Sequence, residues 1–110
     1  MKQAALWLRI DFADGRVGPG KIALLEAIQR EGSISAAARA LGMSYRRAWE
    51  LVVELNQTFS GPVVARLTGG AGGGGAKLTR LGEALLEGFR EIEAAASRAA
   101  AAHLRRLARG

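Results

Sequence analysis

The 110-residue sequence contains no cysteine and a single histidine, His103. The absence of cysteine excludes disulfide bonds, thiolate metal ligands and a cysteine nucleophile, and one histidine leaves most zinc sites short of ligands. No apolar stretch approaches the roughly 18 residues of a transmembrane helix. The N-terminus reaches Asp11 before an apolar segment of signal-peptide length develops. These absences predict a soluble, cytoplasmic protein without a metal site or a cofactor.

Aromatic residues are also scarce, at 5% of the sequence, although apolar residues as a whole make up 49%. That apolar share is typical of a globular chain, and a chain of this length has room for one core. The core must therefore be built mainly from Ala, Leu, Val and Ile. Trp7 and Trp49 are predicted to anchor the core or the edge of the domain, and His103 to be packed or partly exposed.

Basic residues exceed acidic ones, with 16 Lys and Arg against 10 Asp and Glu. The excess is concentrated in residues 33–80, which contain six basic and two acidic side chains. A basic segment of this kind predicts a polyanionic partner. A solvated surface with surplus arginine is the alternative interpretation.

Hydrophobic periodicity and end signals predict a strand, three helices, a glycine-rich hairpin and a long last helix. Apolar and polar residues alternate over 8–12 as in a half-buried strand, whereas residues 13–18 are typical of a turn. Helices are predicted over 19–31, 36–41, 45 to about 59, and from 80 nearly to the C-terminus. Strands are predicted over 63–67 and 77–79. Gly32 is expected to end the first helix, and Ser35, Ser44 and Thr79 to cap the others.

Residues 33–57 have the pattern of a helix-turn-helix. The steep crossing of its two helices needs a small residue in the first helix and a glycine in the turn, and Ala38 and Gly42 have that spacing. The second helix then begins with Ser44, Tyr45, Arg46 and Arg47. Arginine can pair with guanine or grip a phosphate, and hydroxyl groups commonly donate to phosphate. An ordinary helical hairpin with a basic end is the alternative.

Residues 68–76 contain six glycines and precede Lys77. A Walker A phosphate loop would need glycine directly before that lysine and Ser or Thr after it, but Ala76 and Leu78 occupy those positions. The segment is better interpreted as the tip of a β-hairpin wing whose glycine backbone approaches DNA, with Arg66, Lys77 and Arg80 supplying charge. A flexible linker is the alternative.

The predicted last helix would be about 45 Å long, which exceeds the roughly 30 Å span of a small domain. The alternating spacings of four and three residues predict a coiled-coil seam made of Leu85, Phe89, Ile92, Ala96, Ala99 and His103. The first half of the helix is acidic and the second half is basic, so an antiparallel homodimer is predicted. A lone alanine-rich helix with a frayed end is the alternative. Taken with the segments above, this helix predicts a division of the chain into a DNA-binding domain over 1–79 and a dimerisation helix over 80–110.

The segment SISAAARALGMSYRRAWELVVELNQ, followed by TGGAGGGGAKLTRLGEALL, resembles the N-terminal DNA-binding domain of the ModE family of molybdate-responsive regulators. More distantly, it resembles the LysR-type winged helix-turn-helix. The resemblance covers about residues 18–90. It implies a mainly α fold with a small β-sheet, a homodimer, and an inverted-repeat operator in double-stranded DNA.

Together, the resemblance and the residue pattern indicate DNA contacts from the two helix starts and from the wing. The candidate residues are Ser33, Ser35, Ser44, Tyr45, Arg46, Arg47, Arg66, Gly72, Gly73, Gly74, Lys77, Thr79 and Arg80. ModE proteins continue into oxyanion-binding domains, whereas this sequence ends at Gly110, so we expect no molybdate binding by this chain.

These observations predict a sequence-specific transcriptional regulator. An architectural protein that coats DNA with little sequence preference is the alternative. An enzyme is not expected, because His103 has no nucleophile partner to form a catalytic pair.

Overall fold

The computed structural model describes residues 4–68 and 74–109. In this part of the chain, four helices and two separate antiparallel hairpins follow one another. The elements are β1 (Ile10–Phe12), β2 (Gly15–Val17), α1 (Pro19–Glu31), α2 (Ile34–Leu41), α3 (Tyr45–Thr58), β3 (Val64–Leu67), β4 (Gly75–Leu78) and α4 (Arg80–Arg109). The mainly α fold of a winged helix-turn-helix with a long C-terminal helix is confirmed.

The first hairpin corrects the prediction that residues 13–18 form only a turn. β1 pairs with β2 in an antiparallel register that places Ile10 opposite Val17 and Phe12 opposite Gly15. The turn prediction failed because β2 has three residues and too little alternation to be recognised locally. Contacts distant in sequence stabilise it, since Val17 is fully buried in the core.

The β1–β2 hairpin packs against the C-terminal end of α3. Phe12 and Phe59 meet edge to face, with their ring centroids 4.8 Å apart. Gly15 lies so close to α3 that an added Cβ would come within 2.3 Å of Thr58 Oγ1. The glycine is therefore required by the close approach of the hairpin to the helix.

Helix α1 begins and ends where its end signals predict. Pro19 occupies the first turn, where a missing N–H costs nothing. Gly32 follows the last turn in the left-handed region, with φ 82°, and its N–H donates to the Ile28 carbonyl over 2.9 Å.

Helix α2 begins earlier than predicted, and the prediction of Ser35 as its N-cap is wrong. Ser33 is the cap, because its Oγ accepts a hydrogen bond from the Ala36 N–H over 3.1 Å. Ser35 lies inside the helix. Both serines have a suitable hydroxyl, but a start at Ser33 places Ile34 in the helix, where its side chain is buried.

The core combines aliphatic side chains from the helices and both hairpins with one aromatic ring, that of Phe89. Within the described residues, helix α4 contributes to this core only near its beginning, through Leu86 and Phe89, with Leu85 packed partly against it. Arg90 then connects α4 to α1, because its Nε donates to Glu26 Oε2 over 3.0 Å. Hydrogen bonds to Glu26 and Glu93 raise the pKa of the Arg90 guanidinium.

Beyond Phe89, the described part of α4 has no buried residue. The molecule measures 57 × 29 × 19 Å. The second half of the 30-residue helix therefore projects past the core.

Candidate nucleic-acid interface

The turn between α2 and α3 is fixed from both sides. Gly42 adopts φ 69°, the left-handed conformation that glycine tolerates best, and the Met43 N–H donates to the Ala38 carbonyl over 3.0 Å. On the other side of the turn, Ser44 Oγ accepts from the Arg47 N–H over 3.0 Å and caps α3. The predicted capping role of Ser44 is confirmed, and the start of α3 has a defined direction.

The first turn of α3 is exposed except for the side that packs on the core. The Arg46 side chain is 90% exposed and the Arg47 side chain 57% exposed, and Tyr45 is also exposed. Ala48, the next residue, is fully buried and faces the core. The arrangement brings two guanidinium groups and two hydroxyl groups, those of Ser44 and Tyr45, together at one helix end.

Two glutamates on α3 lie beside these arginines, and neither contact was predicted from the sequence. Arg46 Nε is 3.6 Å from Glu50 Oε1, and Arg47 Nη1 is 4.0 Å from Glu54 Oε2. The i,i+4 spacing of Arg46 and Glu50 was the signal that could have revealed the first pair. The glutamates partly neutralise the charge of these arginines, so a bound polyanion would compete with them for the two guanidinium groups.

The β3–β4 hairpin forms the base of the wing, and its register places Val64 opposite Leu78 and Arg66 opposite Ala76. The strand predicted over 77–79 begins two residues earlier, because β4 begins at Gly75. The Ala76 side chain is buried, and the Ala76 N–H donates to the Gly32 carbonyl over 2.9 Å. These contacts with the segment between α1 and α2 order a sequence that looks like a loop.

The tip of the wing is described only in part. Gly74 is exposed and directly precedes β4, whereas the predicted contacts Gly72 and Gly73 lie outside the described residues. Lys77 is exposed within β4, and Arg80 is exposed at the first residue of α4.

Asn56 supports the wing base, a role that was not predicted from the sequence. Its Oδ1 accepts from the backbone N–H of Val63 over 2.8 Å and of Val64 over 3.1 Å. Its Nδ2 donates to the Val64 carbonyl over 3.3 Å. One side chain of α3 thus fixes the beginning of β3, and with it the position of the wing relative to α3.

Thr79 fixes the other side of the wing base. Its Oγ1 donates to the Pro62 carbonyl over 2.7 Å and accepts from the Gly82 N–H over 3.0 Å. The predicted capping of α4 by Thr79 is confirmed. Its hydroxyl group thus supports the wing base from within the fold.

The two basic residues of the wing strands point to opposite faces of the hairpin. Side chains alternate along a strand, so Arg66 shares the face of buried Val64 and Leu78, whereas Lys77 is on the other face. On the inner face, the Arg66 guanidinium carbon lies 5.0 Å from the centre of the Trp49 ring. The structure therefore brings Arg66, but not Lys77, to α3.

The two tryptophans differ. Trp49 is half-buried and packs against the core, as predicted for a residue at the edge of the domain. The same prediction is wrong for Trp7, which is 79% exposed, although the neighbouring Leu8 packs partly against the core.

Only part of the predicted α4 seam is exposed, because the rest packs against the core of its own chain. Phe89 is 1% exposed and belongs to the core of its own chain, and Leu85 packs partly against that core. Ile92 is 47% exposed, Ala96 is half-buried and Ala99 is exposed. The surface available to a partner therefore begins at Ile92, since Phe89 is already covered.

Within residues 4–68 and 74–109, no three His, Asp or Glu side chains are grouped closely enough to hold a metal ion. None of the helices described has the length and apolarity that crossing a membrane requires.

Comparison with known proteins places the helix-turn-helix and wing in a known family. The bacterial regulatory helix-turn-helix proteins of the lysR family match residues 20–83, from α1 into the beginning of α4. The match includes α2, the turn and the whole of α3.

Individual relatives match 76 to 84 residues of the chain. The molybdenum-pterin-binding protein MopA of Rhodobacter capsulatus is 48% identical over 84 residues, which are 76% of this chain and 32% of MopA. The transcriptional regulator ModE of Yersinia pestis is 49% identical over 76 residues, 69% of this chain and 27% of that protein. The DNA-binding transcriptional dual regulator ModE of Escherichia coli K12 is 47% identical over 76 residues, 69% of this chain and 28% of that protein.

The chain thus spans about a third or less of the length of these curated relatives. The family match extends over more than half of the chain and coincides with the observed helices, turn and wing base. The chain belongs to the lysR family of bacterial regulatory helix-turn-helix proteins, with a ModE-like sequence.

Proposed function

We propose that the protein is a DNA-binding transcriptional regulator that acts in the cytoplasm and places the N-terminal end of α3 in the major groove. The observation that supports this most directly is the exposure of Arg46 and Arg47 at a capped helix start, on a scaffold fixed by Gly42 and buried Ala48. Arginine at this position can pair in a bidentate manner with guanine, which distinguishes base pairs. Ser44 and Tyr45 are suited to phosphate.

The wing provides the second contact in this proposal. Arg66 is on the hairpin face nearest α3, so a duplex that meets Arg46 also passes Arg66. The glycine segment, Lys77 and Arg80 add backbone amides and charge at the edge of the wing. In this proposal Ser33 and Ser35, at the N-terminal end of α2, contact the phosphate backbone, because helix N-termini favour anions.

We further propose that the regulator is a homodimer joined through α4, which suits an inverted-repeat operator. The apolar and small residues from Ile92 to Ala99 continue past the core and have no partner surface in their own domain, within the described residues. The acidic first half and basic second half of the helix favour an antiparallel arrangement. Two recognition helices in such a dimer would reach half-sites about 34 Å apart.

Several relatives are named for molybdenum, as a molybdenum-pterin-binding protein or as a molybdenum transport protein. We propose that the domain described here supplies the DNA contact and does not bind molybdate itself. Calorimetric titration of the 110-residue chain with molybdate should show no binding heat, and a saturable heat would contradict this part of the proposal.

Selection of bound duplexes from a random pool tests the proposal as a whole. A specific regulator should enrich a two-fold symmetric site and should prefer that site to random duplex by about a thousandfold or more at physiological salt. Equal competition by random duplex would instead support an architectural protein that coats DNA. Absence of binding to any duplex at low salt would contradict DNA binding altogether.

A further inference from the structure

We propose that Trp49 is a positioning residue for the wing. In this proposal, which rests on the proposed DNA binding, the Trp49 ring holds the Arg66 guanidinium by a cation–π stack and presents the edge of that group to the DNA backbone beside α3. The observation behind it is the 5.0 Å separation of the guanidinium carbon from the ring centre.

Trp49 is suited to this role because its own position is fixed. Its ring is half-buried and packs against the core, so it cannot follow a mobile partner. On a helix, residues three and four apart are neighbours, so Trp49 lies next to Arg46 and Tyr45. The ring therefore stands between the exposed start of α3 and the wing.

Arg66 reaches the ring because of the register of the wing. Arg66 is on the inner face of the hairpin, two residues after buried Val64. The hydrogen bonds of Asn56 to the backbone of Val63 and Val64 fix that part of β3 to α3. The distance between ring and guanidinium is thus set by rigid elements at both ends.

A stacked guanidinium keeps its donors available. The five N–H groups of arginine lie in the plane of the group, so a ring against one face leaves the edge free to donate to phosphate. Within the described residues, Arg66 forms no ion pair with a carboxylate, whereas Arg46 is paired with Glu50 and Arg47 with Glu54. Arg66 is therefore ordered by an apolar ring that need not be displaced when DNA binds.

A double-mutant cycle on DNA binding tests the proposal, with the duplex selected from the random pool as the probe. Trp49→Leu should weaken binding about three- to tenfold, because Arg66 must then be ordered on binding, while the charge and hence the salt dependence stay nearly unchanged. Arg66→Ala should weaken binding and also reduce the slope of log affinity against log salt concentration by about one. Trp49→Phe should retain most of the affinity, because the face of phenylalanine also attracts a cation.

The combined variant decides between positioning and simple support of the core. If Trp49 acts through Arg66, Trp49→Leu should have little further effect in the Arg66→Ala background. Equal weakening by Trp49→Leu in both backgrounds would overturn the proposal. So would unchanged affinity and salt slope in Arg66→Ala, provided that the wild-type chain binds. If the wild-type chain itself bound no duplex, that result would instead contradict the proposed function.

A second measurement tests the stack without DNA and without altering Trp49. The sequence has two tryptophans, so Trp7→Phe leaves Trp49 as the only one, and Trp7 is far too exposed to support the core. In that background, Arg66→Ala should increase acrylamide quenching of Trp49 fluorescence, because one face of the ring loses its cover. Lys77→Ala, on the opposite face of the hairpin, is the matched control and should not change the quenching. Equal quenching in all three proteins would contradict the stack.

Discussion

The backbone of Gly82 in α4 lies directly against the Val63 carbonyl, so that a Cβ on Gly82 would come within 2.1 Å of the Val63 oxygen. The same oxygen accepts a hydrogen bond from the Thr79 N–H over 3.0 Å. Two backbone segments thus meet without side chains between them, and α4 can begin directly beneath the wing base.

This contact predicts that Gly82→Ala destabilises the protein, although alanine is the better helix former by about 1 kcal/mol. Relief of the clash requires a backbone shift, which typically costs about 1–3 kcal/mol in a packed interior. Gly88→Ala is the matched control in the same helix, since nothing lies within 4 Å of its added Cβ, and it should stabilise the protein. Urea denaturation of both variants checks the prediction, and equal stability gains would contradict the contact.

Removal of the Asn56 side chain should also reduce stability, at the base of the wing. Asn56→Ala leaves the backbone N–H groups of Val63 and Val64 without their acceptor, and an unpaired buried donor costs about 1–3 kcal/mol. Gln57→Ala, at the neighbouring exposed position of α3, should change the free energy of unfolding little. Amide hydrogen exchange should show reduced protection at Val63 and Val64 in the Asn56 variant, and retained protection would argue against this role.

The helix ends could be predicted from the sequence because local chemistry decides them. Pro19 and Gly32 bound α1, and Ser44 caps α3, through contacts within a few residues. Where two local signals compete, as at Ser33 and Ser35, the burial of Ile34 decides, and burial is a property of the whole fold.

The structural features that were not predicted from the sequence depend on contacts between distant segments. Strand β2 is stabilised by α3 and the core, and Asn56 reaches across to β3. The stack of Arg66 on Trp49 follows from the strand register, and neither residue type signals it. The exposed cluster at Ser44 to Arg47 was predictable because a helix start places consecutive residues together. The i,i+4 spacing of Arg46 and Glu50 was also a local signal, whereas the contact of Arg47 with Glu54 depends on the direction of both side chains.

The proposed DNA contact predicts that replacing both Arg46 and Arg47 with alanine weakens operator binding by about 1–3 kcal/mol for each arginine that pairs with a base, and reduces its salt dependence. The fold should persist, because both side chains are exposed. Arg30→Ala is the matched control for Arg47, with a side chain 58% exposed on α1, and should affect binding little. Gel-shift titrations check this, and circular dichroism monitors folding. Unchanged binding by the double variant would remove the recognition role of α3.

Removal of the Glu50 carboxylate should have the opposite effect, a gain in affinity for DNA. Glu50→Gln removes a carboxylate 3.6 Å from Arg46, so the guanidinium no longer has to exchange an ion pair for a phosphate. Affinity for random duplex should rise, and the preference for the selected site should fall. Glu87→Gln makes the same charge change on exposed α4 and should raise affinity much less. Equal gains in both variants would mean that net charge alone matters and that the Arg46–Glu50 pair has no role.

The exposed side of α4 leads us to expect a dimer in solution. The wild-type chain should sediment as a dimer at micromolar concentration, and Ala96→Arg should shift it to a monomer, because the long charged side chain separates two closely packed helices. Ala94→Arg adds the same charge on the opposite side of α4, at an exposed alanine, and should leave the dimer intact. Since Ala96 lies beyond the last buried residue, Phe89, neither substitution should unfold the domain. A wild-type monomer, or equal dissociation by both variants, would contradict an interface on the Ile92–Ala99 side of the helix.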